Sequence, residues 1–145
     1  MKRHHLILLA LAVALTPPLC WAADNLPAVS DPAEAAKDPD FAIQGEYTGT
    51  VGDETYGVQV IALGDGDFEA VACKGGLPGD GWNGEKPRES SQAKRAEDGS
   101  VTFTKDDVSA VLKDGKITVT KASEPNFSAT LTRVERESPT LGAKA

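Results

Sequence analysis

The chain has 145 residues, with 22 acidic against 15 basic side chains and a formal net charge of −7. This balance repels phosphate backbones and anionic lipid, so neither nucleic acid nor a membrane surface is an expected partner of the processed chain. Two histidines and two cysteines leave little room for imidazole catalysis, metal capture or a disulfide framework.

Residues 1–22 read as an export signal. Lys2 and Arg3, with His4 and His5, make a basic start. The apolar run Leu6–Leu15 is too short to span a bilayer as a helix, and Pro17 and Pro18 break it. Cys20 and Ala22 occupy the small positions before a cut, which places cleavage between Ala22 and Ala23. The alternative is an uncleaved membrane anchor. The expected destination is the periplasm or the outside of the cell. Cleavage removes both histidines and leaves Cys73 as the one cysteine, so intrachain disulfides, histidine triads and histidine-rich zinc sites are struck off. No cofactor, metal site or catalytic residue is expected.

Residues 23–40 look like a tether carrying a short helix. Ser30 or Asp31 is placed to cap it, Pro32 suits its first turn, and Glu34 stands three positions after Asp31. Asp38–Pro39 is its expected stop, because a residue before proline avoids helical angles.

From Phe41 the period changes to two. Val58, Val60 and Ala62 alternate with Gln59, Ile61 and Leu63; Ile117 and Val119 alternate with Thr118 and Thr120; Phe127, Ala129 and Leu131 alternate with Ser128, Thr130 and Thr132. Such alternation belongs to antiparallel sheet with one wet face. Asp114–Gly115 is the strongest hairpin signal, and Gly64–Asp65–Gly66 and Asp98–Gly99 follow it. Seven strands are expected, with the polar segment "RESSQAKRAED" (residues 88–98) as an eighth at an edge. Short strands joined in order point to an all-β antiparallel meander over residues 41–136. It is expected to close into a small barrel-like roll, with a two-sheet sandwich as the second choice. Residues 137–145 read as a C-terminal linker.

The stretch "KGGLPGDGWNGEKPRE" (Lys74–Glu89) interrupts this pattern. Glycines permit close backbone approach, Trp82 offers a flat face to a sugar ring, and Asp80 and Asn83 can bond its hydroxyls. Asp80, Trp82 and Asn83 are therefore the candidate ligand contacts. The plainer reading is a compact surface loop pinned by Trp82 against the barrel. Cys73, just before it, is either a reactive thiol or a small buried strand residue. Glu46, Asp80 and Glu85 are the acids to watch for paired-carboxylate chemistry. "DGDFE" (Asp65–Glu69) hints at calcium, but its glycine and glutamate spacing does not fit an EF-hand loop, and a hairpin turn explains it better.

Four phrases carry a resemblance: "DPAEAAKDPDFAIQGEYTG" (Asp31–Gly49), "GVQVIALGDGDFEAV" (Gly57–Val71), "GGLPGDGW" (Gly75–Trp82) and "LTRVERESPTLGAKA" (Leu131–Ala145). Together they resemble the amino-terminal module of exported bacterial proteins of the 3-keto-disaccharide hydrolase domain family. In that family the hydrolase is a separate jelly-roll domain that follows this module, and "SPTLGAKA" is similar to the linker leading into it. The resemblance implies a non-catalytic accessory or interaction domain of carbohydrate-processing proteins. Its expected partner is a carbohydrate or a downstream hydrolase domain. The alternative is that the chain is itself a 3-keto-disaccharide hydrolase or a fragment of one. On this reading the chain is a stand-alone relative or the front piece of a longer protein.

Overall fold

The computed structural model describes residues 31–85 and 88–136. The expected signal segment 1–22, residues 23–30 of the tether and the linker 137–145 lie outside the described residues.

Asp31 is extended and caps helix α1 (Pro32–Ala35), its carboxylate accepting from the Ala33 amide at 2.9 Å. Asp38–Pro39 stops that helix as expected, and the same pair starts a second one. Asp38 accepts from the Asp40 amide at 2.9 Å, and Pro39 takes the first position of α2 (Pro39–Ile43). Phe41–Ile43 is thus helical, where strand pattern was read to begin. The pattern there is a capped turn with proline at its head.

Among the described residues ten strands follow: β1 (Gly45–Val51), β2 (Glu54–Gly64), β3 (Asp67–Lys74), the two-residue β4 (Leu77–Pro78) and β5 (Gly81–Trp82), β6 (Arg88–Lys94), β7 (Val101–Lys105), β8 (Val108–Lys113), β9 (Lys116–Lys121) and β10 (Glu124–Val134). Eight form one antiparallel sheet in the order β6-β3-β2-β1-β10-β9-β8-β7, while β4 and β5 pair with each other in parallel. Consecutive strands of this sheet pair with one another except β6 and β7, which are its two edges, and the first strand pairs with the last, Glu46 of β1 opposite Val134 of β10 and Gly49 opposite Leu131. That pairing of the first and last strands curls the meander into a nearly closed barrel, and the polar segment becomes an edge strand, β6. The sandwich alternative falls with it.

The hairpins obey their turn chemistry. Asp114 and Gly115 have φ of 49° and 72°, the left-handed values that a two-residue turn demands at both centres. Asp65 and Gly66 turn β2 into β3 with φ of 54° and 78°.

Alternation aims one set of side chains inward. Tyr47, Phe68, Val101, Leu112, Ile117 and Leu131 are all buried, while Ile61 and Leu63, one step out of phase with Val60, stand on the outside. The two barrel ends differ. At one end, here the floor, the turns 65–66, 95–100 and 114–115 gather beside α2. Asp40 of α2 is 4% exposed; its Oδ2 accepts from the Gly66 amide at 2.9 Å, and its Oδ1 lies 3.3 Å from Arg95 Nη1 as an ion pair without an aligned hydrogen. Tyr47 donates its hydroxyl to the Ile43 carbonyl at 2.7 Å, and Arg133 donates to the Ala42 carbonyl. The short helix is therefore stitched to β1, to β10 and to the turns that hold Gly66 and Arg95. The other end, the mouth, carries the turns 52–53, 106–107 and 122–123.

Candidate functional site

Side-chain size changes along the barrel axis. On β3, Phe68 lies toward the floor and Ala70 and Ala72 lie toward the mouth. On β8, Leu112 lies toward the floor and Ala110 toward the mouth. Both sets face inward because both sit at alternate positions. Large side chains fill the lower half; small ones leave a cavity of about 330 Å³ in the upper half. Phe103, Ile117 and Leu131 form its base, and Val51, Tyr56 and Val108 stand nearer its opening. A space of this size, mostly apolar and open at one end, has the dimensions of a small-molecule site.

Charge is confined to the opening. Lys105 pairs with Glu89 at 3.3 Å, and Lys121 pairs with Glu124 at 3.1 Å while resting 4.4 Å from the centre of the Phe127 ring. Asp107 accepts a hydrogen bond from the Ser123 hydroxyl. Lys74, at the same end, is held by Glu54 at 3.0 Å, and that carboxylate raises the Lys74 pKa. Glu54 is exposed and Lys74 half-exposed, so this pairing is a local effect of small energy.

One side of the cup lacks a ladder. β6 and β7 are neighbours around the barrel but are not strand partners in the sheet. Arg95 and Val101 make a single bridge near the floor, Ser91 Oγ donates to the Thr104 carbonyl at 3.2 Å, and the Glu89–Lys105 pair closes the upper part. Both strands line the cavity through Ser90, Ser91, Phe103 and Thr104. The wall is weakest along this seam, since side-chain links replace a ladder of backbone bonds.

The glycine-rich stretch takes a different place. It folds back over the outer face of β2 and β3. A Cβ on Gly57 would lie 2.4 Å from the Leu77 amide nitrogen and 2.5 Å from the Gly76 carbonyl carbon, so only glycine lets the loop lie this close. Gly76 itself has φ of 134°, and a Cβ there would meet the Asp80 carbonyl oxygen at 2.2 Å. Leu77 is 1% exposed and Cys73 fully buried, so the loop covers a small apolar core on the outside of the barrel. The loop is pinned by Leu77, where the sequence pointed to Trp82. Trp82 is half-buried, with the Arg88 guanidinium 5.2 Å from its ring centre. Cys73 is the small buried strand residue of the plainer reading.

Asp80 and Asn83 are exposed on the same loop. The Asp80 amide donates to the Leu77 carbonyl at 2.8 Å, and Asn83 is turned to Glu85, donating to its carboxylate at 3.2 Å and accepting from its amide at 3.1 Å. The three candidate contacts therefore share one loop, and none of them lines the cavity.

Of the watched acids, Glu46 is held by an arginine. Arg136 clasps Glu46 through Nε and Nη2, at 2.5 and 2.6 Å, and donates through Nη1 to the Pro78 carbonyl at 3.1 Å. These bonds hold the Glu46 carboxyl below its usual range, with help from Gln59 at 3.1 Å and against the opposing effect of burial. A general acid needs the opposite shift. Among the described residues no three histidine, cysteine, aspartate or glutamate side chains converge as a metal site requires.

Sequence reasoning missed the cup. Its signal was nevertheless present: inward positions near the mouth carry alanine where the same strands carry phenylalanine or leucine near the floor. Comparison with protein-family models, with curated proteins and with solved structures found no match.

Proposed function

We propose that this chain is an exported, non-catalytic module that holds a small molecule in the upper half of its barrel. The observation that carries the reading is the 330 Å³ cavity above a packed floor. A barrel needing only stability has no use for alanine at three inward positions beside a void, since unfilled volume costs contact energy. Export follows from the basic and apolar start of the sequence and its small residues before Ala23.

Titration with the neutral naphthalene dye prodan tests it. Emission is expected to rise and shift to the blue in a saturable manner. Ala110→Leu, which fills the cavity from β8, is expected to abolish the change while leaving the circular dichroism spectrum intact. An unsaturable response, or one equal in the variant, removes the reading.

The second reading is an accessory module of a carbohydrate-processing protein. The half-exposed indole of Trp82, flanked by exposed Asp80 and Asn83, favours it. In the chain cut after Ala22, Trp82 is the one tryptophan, so its fluorescence reports oligosaccharide binding directly. A saturable change with an oligosaccharide would move the function from the cup to the loop. Release of sugar from a 3-keto-disaccharide by the purified chain would establish the hydrolase alternative instead.

A further inference from the structure

The lining of the cup restricts what it takes. We infer that its ligand is an uncharged, largely apolar molecule about two rings in size, and that anionic amphiphiles of the fatty-acid kind are excluded. The inference rests on the cup being a binding site at all, and it adds the chemical class.

Size follows from volume. A dry protein cavity of about 150 Å³ lined by leucine, isoleucine and phenylalanine takes one benzene. The cup has roughly twice that space, about 330 Å³. One ring would leave much of it empty, losing the dispersion contacts that make apolar binding favourable.

Polarity follows from the walls. Below the rim the lining is Ala70, Ala72, Ala110, valines and the base formed by Phe103, Ile117 and Leu131, with no ionisable side chain other than the tyrosine hydroxyl of Tyr56. A charge carried into that space would lose its hydration and find no partner. A polar end must therefore stay at the rim.

The rim then decides the sign. A fatty acid or aryl carboxylate needs a free cation there. The lysines that face the opening, Lys105 and Lys121, are already paired with Glu89 and Glu124, and Lys74 beside them is paired with Glu54. Asp106 and Asp107 add two more exposed carboxylates to the lining, with no ion pair of their own among the described residues. An incoming anion would have to break an existing pair against the field of the remaining acids, and the whole chain carries −7. A hydroxyl end meets no such barrier and can donate to Ser91 Oγ, on the face of β6 that Ala70 shares across the β3–β6 pairing.

Calorimetric titration of the purified chain with naphthylmethanol, naphthoate and benzyl alcohol separates these points. Naphthylmethanol is expected to bind, naphthoate at least tenfold more weakly, and benzyl alcohol at least tenfold more weakly again than naphthylmethanol. Ala110→Leu is expected to remove naphthylmethanol binding; Ala72→Leu, on the opposite wall, is a second way to fill the space should the first variant fail to fold. Binding of naphthoate as tight as naphthylmethanol overturns the charge rule and leaves the cup standing. Equal binding of benzyl alcohol overturns the size rule alone. Binding of none of the three, in a chain that folds, overturns both the class and the cup.

Discussion

The floor and the mouth of this barrel are built from the same eight strands but are held together in different ways. At the floor the interior is filled. Tyr47, Phe68, Val101 and Leu112 meet there, and α2 is stitched on through Asp40, Ile43 and Ala42. At the mouth the interior is hollow, and part of the missing support comes from outside, where Leu77 and Cys73 are buried between the glycine-rich loop and the outer wall of β2 and β3. A barrel can therefore keep a cavity if packing removed from inside one end is replaced by packing on its outer surface.

The comparison breaks most sharply at Phe68. Its ring is fully buried at the floor, so Phe68→Ala is expected to cost about 4 kcal/mol in urea denaturation, the range for a large-to-small change in a filled core. Ala110→Leu at the mouth is the reverse experiment. It adds volume to existing space and is expected to change stability by less than about 1 kcal/mol, in either direction, while ending ligand binding. Similar losses from both would mean that the mouth is packed as tightly as the floor, and that the distinction between them is wrong.

The outer clasp gives the next largest effect. A Cβ at residue 57 would sit 2.4 Å from the Leu77 nitrogen, closer than any relaxed contact allows. Gly57→Ala is expected to lift the loop, cost about 2 kcal/mol, and expose Cys73 to a thiol reagent that does not reach it in the parent. Unchanged protection of Cys73 in this variant would show that the loop does not cover it.

Much of this fold was legible in the sequence because alternation and turn chemistry are local. β-Branched runs, Asp114–Gly115 and Asp65–Gly66 mark strands and hairpins without knowledge of what lies across the barrel. The second helix was not legible, because Asp38–Pro39 serves equally as a stop and a start. The cup was hidden for a deeper reason. Whether Ala70 or Ala110 packs against a neighbour or against empty space depends on where the strands close, and β1 meets β10 more than eighty residues apart in the chain. Gly57 likewise reads as an interruption of β2 until the loop from Gly75 onward is seen lying on it. The unladdered seam between β6 and β7 has no sequence signal at all beyond the polarity of β6, which is typical of an edge.

The smallest effect expected is on the tie that fastens the clasp to the end of the last strand. Arg136 joins Glu46 on β1 to the Pro78 carbonyl in the loop, so one guanidinium spans both sides. Its bonds lower the Glu46 pKa from the ordinary 4.5. As pH falls, the unfolded chain takes up this proton before the folded chain does. The stabilisation is thus complete above about pH 4.5, the unfolded value, and disappears as pH drops through the lower folded value. Glu46→Gln removes that dependence. It is expected to cost about 1 kcal/mol at neutral pH, because the carboxylate is only a quarter exposed and the contact is two-pronged, and to cost progressively less as pH falls below about 4.5. The check is the urea midpoint of parent and variant at neutral pH and at a series of values below 4.5. If the two chains lose stability in parallel on acidification, the Glu46–Arg136 pair carries no net energy, and the clasp is held on without it.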